Sequence, residues 1–442
     1  MLLLGNGRAI TRDAAQPFLP DGAVVVDGGK ILAAGPRAEL QQAWPEADFL
    51  DAGGGIIMPG LINAHHHIYS TFARGLSIRG NHPANFLEIL EGTWWRLDRS
   101  LTLEDVYESA RVTFLECIKH GVTTIFDHHA SYGAISGSLF RIADAARELG
   151  LRSCLCYEVS DRDGQAKMQA ALQENCDFLQ AAVRDHSDMQ KAMLGLHASF
   201  TLSDATLQLC REKLPAATGC HIHVAEGLAD VQQTLQKHAK RIVHRLYDFD
   251  LLGPQTIAAH CIHINEAELE LLRDTHTMVV HNPESNMGNA VGCPPALAMQ
   301  HKGILVGLGT DGYTNDMLES YKAGNLLHKH SLCNPTVGWS ELPQMLFAGN
   351  AELANRYFAV PLGVLRPGAA ADIIVLDYEP YTPMDEANCN AHLLFGTNGR
   401  SVKTTIVNGR VLMQDRRLLA DEEEILAKAR EQSAGLWQRI NA

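Results

Sequence analysis

Three short stretches of this 442-residue chain carry side chains of the types that bind metals and move protons. The first, PGLINAHHH, ends in His65, His66 and His67. Side chains alternate along a strand, so His65 and His67 point to one side, where two imidazoles can reach one ion, while His66 packs on the other side between strand and helix. The second, GCHIHVAE, holds His221, His223 and Glu226. Either histidine qualifies by type as a third ligand; His223 is preferred because it shares a short turn with Glu226 and lies nearer the strand end. Glu226 then faces the substrate as a proton donor or acceptor. The third, GLGTDG, presents Asp311 between glycines that let the backbone approach closely. Its carboxylate could close the coordination sphere and hold the proton of an attacking water. Three imidazoles and a carboxylate with an open position suit zinc, with Fe2+ and Mn2+ compatible by residue type. His260, in TIAAHCIH, adds a group poised near that water.

Such chemistry needs a scaffold that brings the ends of distant segments together. Between residues 59 and 360, apolar, β-branched runs alternate with helical stretches, the pattern of a parallel sheet with crossover helices. The runs are IIMPGLINAHHH, TTIFDHH, RSCLCYEVSD, KAMLGLHAS, GCHIHVAE, TIAAHCIH, MVVHNPESN and ILVGLGTDG. Eight such units close a (β/α)8 barrel, an α/β fold whose chemistry sits at the C-terminal ends of the strands. Nearly every run ends in polar residues, including Asp127 to His129, His197 and His281 besides those already named. Residues 1–58 read as β, with a tight-turn signal at Asp27-Gly28-Gly29. The texture returns in ADIIVLD and in TTIVNGRVL, which turns at Asn408-Gly409. The expected organisation is a small composite β-sandwich built from 1–58 and 361–442, beside a 59–360 barrel. A last amphipathic helix should start after Asp421, with three glutamates at the positive end of its dipole.

Composition narrows the function classes. With 46% hydrophobic and 20% charged residues the chain is neither disordered nor fibrous. A net charge of −14 works against phosphate backbones and anionic lipid, so no nucleic acid and no membrane are expected as partners. MLLLGNGRAITRD is too short in apolar residues for a signal-peptide core, and no apolar run approaches the ~18 residues of a membrane span, so a cytoplasmic location is expected. Ten cysteines without a CxxC pair suit reduced thiols.

Taken in order, PGLINAHHH, HIHVAE, TIAAHCIH, HNPESN and GLGTDG resemble the amidohydrolase superfamily, in its aminohydrolase or chlorohydrolase branch, over essentially the whole chain. WWRLDRSL, FDHHAS, YEVSDRDG and TNDMLE are further similar to the selenium-metabolism aminohydrolase family SsnA. The resemblance implies His65, His67, His223 and Asp311 as ligands, Glu226 as acid/base and His260 as the water-orienting residue. It also implies one divalent metal per chain: binuclear relatives carry a bridging lysine at the end of the fourth strand, whereas here Lys191 stands at its beginning and His197, a substrate contact in similar enzymes, takes the lysine's place. A homodimer is expected by analogy.

Substrate contacts should come from the loops after the strands. The first, 68–101, carries Arg74, Trp94, Trp95 and Asp98, and by resemblance to nucleoside deaminases Asp98 stands where an acidic residue holds a ribose; a surface carboxylate is the alternative. The two tryptophans suit core packing. Adenosine-analogue deaminases of the branch carry an arginine where this chain has Tyr157-Glu158, which argues against an S-adenosylhomocysteine-type nucleoside. Asp-His-His at 127–129 resembles enzymes of flat, oxygenated heterocycles such as 8-oxopurines and hydroxytriazines, with His128 or His129 donating to a ring carbonyl and the other facing the core. Arg162 and Asp163 either flank the same pocket or belong to a solvated loop. The expected function is a metal-dependent hydrolytic deaminase of a small heterocyclic substrate, a purine or oxidised purine, acting through a metal-activated hydroxide. The alternatives are release of an alkylamine, chloride or ring amide, or a metal-binding accessory role without catalysis, for which Glu226 and His260 would be unnecessary.

Overall fold

A computed structural model describes every residue of the chain except Ala217. The two chain ends meet in one sheet, nine-stranded among the described residues. Its N-terminal half is a meander of Leu2–Ile10, Phe18–Asp27 and Lys30–Pro36, with Asp48–Asp51 pairing parallel to Leu2–Ile10, and its C-terminal half is formed by Ile373–Leu376, Val402–Val407, Arg410–Gln414 and Arg417–Leu418. Ile56–Pro59 joins the halves, pairing antiparallel with Ile373–Leu376 and parallel with Leu2–Ile10. The two expected tight turns are present: Gly28 and Gly29, and Asn408 and Gly409, all take positive φ, as a two-residue hairpin loop demands. Inward residues of both halves, among them Leu4, Val24, Ile57, Ile373 and Ile406, share one apolar cluster.

IIMPGLINAHHH does not form a single strand. It breaks at Pro59-Gly60, so that Ile56–Pro59 belongs to the composite sheet and Leu61–His66 opens the barrel. Gly60 permits the change of direction, because a Cβ there would lie 2.3 Å from the Thr123 side chain. The barrel continues with Val122–His129, Arg152–Tyr157, Gln190–Ala192 with Leu194–Ala198, Cys220–Val224, Ile257–His260, Met278–His281 and Val306–Leu308, all pairing parallel. The fourth strand is divided at Met193: its first piece pairs back to the third strand and its second piece forward to the fifth. Two narrow seams close the ring. Val159 bridges Leu196, and His66 bridges Asp311, with the Thr310 and Asp311 N–H groups both donating to the His65 carbonyl at 3.0 Å.

A buried ion pair locks sheet to barrel. Arg152 of the third barrel strand donates from Nε to Asp372 at 2.7 Å and from Nη1 to the Asp188 carbonyl at 2.7 Å, and Asp372 also accepts from the Asn408 N–H. The final helix, Glu422–Asn441, is capped by Asp421 as expected. It packs on the barrel helix Leu103–Lys119, and its Trp437 indole donates to the Phe72 carbonyl of the loop after the first barrel strand. No helix among the described residues is long and apolar enough to cross a membrane.

Candidate metal centre and substrate pocket

The polar strand ends converge at one mouth of the barrel. Strand alternation puts the His65 and His67 rings 4.9 Å apart, while His66 turns away to bond Thr310 at 3.0 Å. The fifth strand brings His223 so that its Nε2 lies 3.2 Å from His67 Nε2. Asp311, beyond the eighth strand, sets Oδ1 3.1 Å from His67 Nε2. Ala225, His260 and Asp311 all take left-handed backbone conformations, with φ of 50°, 72° and 53°. Such strain in non-glycine residues costs about 1–3 kcal/mol each, and here it re-aims the chain at the strand ends.

These groups fit a bound cation. His67 Nδ1 donates to the His128 carbonyl at 2.6 Å and His223 Nδ1 to the His197 carbonyl at 2.9 Å. Both Nε2 lone pairs therefore face each other, an arrangement that needs a positive charge between them. His65 is held by His221, Nδ1 to Nε2 at 2.8 Å, which leaves its buried Nε2 without a partner. Ligand atoms of His65, His67 and His223 lie within 4.8 Å of one another, as do those of His65, His260 and Asp311. Without an ion, burial works against a charge on His67, yet the facing Asp311 raises it to about 9. Burial likewise opposes ionisation of Asp311, but His67 and His260 hold it well below the usual carboxylate range. A divalent cation would take the place of the proton shared by this pair.

Three further groups stand over the centre. His260 Nδ1 is fixed by Asn286 at 2.9 Å, and its buried, unpartnered Nε2 points between Asp311 Oδ2 at 3.6 Å and Glu226 Oε2 at 3.7 Å. Ser285 donates to Asp311 Oδ2 at 2.5 Å. Burial, and then the nearby Asp311 charge, push the Glu226 carboxyl well above its ordinary range, as a proton donor at neutral pH requires.

One pocket opens from these residues. His67, His223, Glu226 and Asp311 form its floor, His197 and Glu158 one wall, and Phe86, Leu87, Leu90, Trp94 and Trp95 an apolar wall. The two tryptophans, expected in the core, both line the pocket, and Trp94 packs against the main apolar cluster as well. Of the four expected substrate contacts only His197 lines it. Asp98 is 1% exposed and binds the Arg162 guanidinium, since a carboxylate so deeply buried needs a counter-charge. Arg74 is exposed and borders a separate side pocket behind Ser70 and Trp94. His128 is buried and bonds the Leu196 carbonyl through Nε2, bracing the strands. Sequence reasoning missed Glu158 as a pocket residue, and also His221, Ser285 and Asn286 as supports. The HIHVAE and HNPESN stretches carried a signal for the supports, because their remaining polar residues had no other role.

Comparison with known proteins adds the following. The profile of the amidohydrolase family matches residues 56–412, and that of the bacterial imidazolonepropionase-like composite domain matches residues 22–47. The chain is 32% identical over 449 residues to a 5′-deoxyadenosine deaminase of Methanosarcina mazei, covering 100% of this chain and 99% of the relative. It is 30% identical over 445 residues to a 5-methylthioadenosine/S-adenosylhomocysteine deaminase of Pelotomaculum thermopropionicum, covering 99% of each. A zinc-bound adenosine deaminase structure from Xanthomonas campestris superimposes with a TM-score of 0.87 at 21% identity, covering 99% of this chain and 98% of that one.

Proposed function

The chain belongs to the amidohydrolase family and is a hydrolase of carbon–nitrogen bonds, and from that premise we propose that it deaminates a purine ring, most fittingly that of a nucleoside, with zinc as its metal. The observation that carries the reading is the meeting of Glu226, His260 and Asp311 beside three histidines, at the floor of an apolar-walled pocket.

His65, His67, His223 and Asp311 would hold the ion, which when bound supplies a Lewis acid able to lower the pKa of water to about 7. Asp311, one oxygen steadied by Ser285, takes a proton from the attacking water. His260, its other nitrogen occupied by Asn286, offers Nε2 to orient that water. Glu226, protonated in its buried setting, donates to the ring nitrogen beside the attacked carbon, so that charge does not build up on the ring. The leaving amine then departs as ammonia with the proton that Asp311 returns, and the hydroxyl proton left on the attacked carbon goes back to Glu226, which restores both carboxyl groups. Phe86, Leu90, Trp94 and Trp95 exclude water and flank the ring faces.

The nucleoside form of the reading revises the expectation drawn from Tyr157-Glu158. Of the relatives aligned over the full chain, one is named for 5′-deoxyadenosine, a nucleoside with an uncharged 5′ end, and another for both methylthioadenosine and S-adenosylhomocysteine, the second of which has a charged 5′ tail. The absence of an arginine at 157–158 then bears on anionic tails rather than on the nucleoside itself. The test is product analysis after incubating zinc-loaded protein with 5′-deoxyadenosine, adenine, guanine, 8-oxopurines and hydroxytriazines. Ammonia together with the hydroxylated purine supports the reading. Release of a chloride or alkylamine from triazines alone would overturn it.

A further inference from the structure

Glu158, just past the third barrel strand, is a pocket residue that the proton transfers above do not use. Its side chain is 5% exposed. Oε1 lies 3.3 Å from Arg162 Nη2 and 4.0 Å from His197 Nε2, and Oε2 lies 3.9 Å from His128 Nδ1, too far for a hydrogen bond. A carboxylate can accept about four hydrogen bonds; among the described residues this one receives one, from Arg162. Arg162 itself is committed elsewhere. It bonds both oxygens of Asp98 and lies over the Tyr132 ring at 4.0 Å and the Trp95 ring at 5.2 Å. Asp163, the next carboxylate of the cluster, is taken by Arg99 at 2.7 Å. Arg162 is therefore shared among Asp98, Glu158 and Asp163, and Glu158 keeps unused acceptor capacity facing the pocket.

We infer that Glu158 accepts hydrogen bonds from the vicinal hydroxyls of the substrate's sugar, with Arg162 and Asp98 as the positioning residues behind it. The inference rests on the purine reading above. In a purine the amino-bearing carbon is flanked by N1, and N3 lies across the ring, next to the nitrogen that carries the sugar. With the amino carbon over the metal site and N1 at Glu226, the N3 edge turns toward the wall where His197 and Glu158 stand side by side. His197 meets the ring edge, and the sugar beside it meets Glu158. Two adjacent hydroxyls match the two oxygens of an acceptor-only carboxylate. A site built to pair with a hydroxyl discriminates strongly against an analogue that lacks it.

The experiment compares kcat/KM for 5′-deoxyadenosine and its 2′-deoxy analogue in the wild-type protein and in Glu158→Gln. The wild type should prefer the ribose form by about tenfold or more, and the variant should bring the ratio close to one while metal content and melting temperature stay at wild-type values. An unchanged ratio in a folded, metal-loaded variant overturns the inference and leaves the purine reading standing. A second measurement does not depend on turnover: calorimetric binding of 5′-deoxyadenosine and of adenine to Glu226→Gln, with and without Glu158→Gln. Tighter binding of the nucleoside that vanishes with Glu158→Gln supports the inference. Equal binding of nucleoside and base, or failure of both to bind, overturns it. A wild type that turns over no purine overturns the reading on which it rests.

Discussion

Asn350 gives the sharpest structural prediction. It opens the helix Asn350–Asn355 and is fully buried. Its Oδ1 accepts from the Leu308 N–H at 2.7 Å, while Nδ2 donates to the Ile62 carbonyl at 2.7 Å and the Leu308 carbonyl at 2.8 Å. These bonds tie the last barrel strand to the first, across a seam whose other strand bridge is His66 to Asp311. Asn350→Ala strands one buried donor and weakens two acceptors. At about 1–3 kcal/mol for each unsatisfied buried group, less what relaxation recovers, the loss should be ~3–5 kcal/mol, a large share of a stability of about 5–15 kcal/mol. The same two strands end at His65, His67 and Asp311, so the variant should also retain less metal after dialysis. Urea denaturation and metal analysis measure both effects. Asn355→Ala, on the same helix but exposed, serves as the comparison and should lose about 1 kcal/mol. A loss below ~1 kcal/mol with full metal content in Asn350→Ala would refute the idea that this side chain closes the barrel.

Three other outcomes follow from particular contacts. Asp311→Asn removes a metal ligand and the water's base together, so turnover should fall by about a thousandfold or more, ~4 kcal/mol on the barrier; activity within about tenfold of wild type contradicts the assignment. Arg152→Met leaves Asp372 buried without its counter-charge and should destabilise by about 3–5 kcal/mol, read as a lower denaturation midpoint, whereas an unchanged midpoint argues against a lock between sheet and barrel. Glu424, hydrogen-bonded first to Arg111 and then to Lys428, is held at about 2, below its ordinary 4.5. Its contribution to docking the last helix is thus full above about pH 4.5 and is lost as pH falls toward 2. The stability difference between wild type and Glu424→Gln should shrink over that window, and a difference independent of pH would count against the pair.

Much of the site was legible because barrel strands end where chemistry happens. HxH, HxHxxE and TDG each fall at a strand end, and alternation alone separates His65 and His67 from His66. The hairpins at 27–30 and 407–410 were equally readable from their Asp-Gly and Asn-Gly signals. What escaped depends on partners distant in sequence. Asp98 reads like a free loop carboxylate until the fold brings Arg162 against it. His128 reads like a ring donor until the strand pairing gives its Nε2 to Leu196. Asn350, an ordinary polar residue near a helix start, reveals its role only when the first and last strands lie on either side of it. The break of 56–67 into two strands did have a local signal, Pro59-Gly60, but an unbroken apolar run hides it.

The most direct test of the account is a zinc titration of metal-stripped protein with ammonia release from 5′-deoxyadenosine as the readout, run in parallel on Glu226→Gln. The account predicts that release rises with added zinc to a plateau at one ion per chain and is nearly abolished in the variant, although the variant binds the ion equally well. Undiminished release from the metal-stripped protein, or a Glu226→Gln variant as active as wild type, would contradict it.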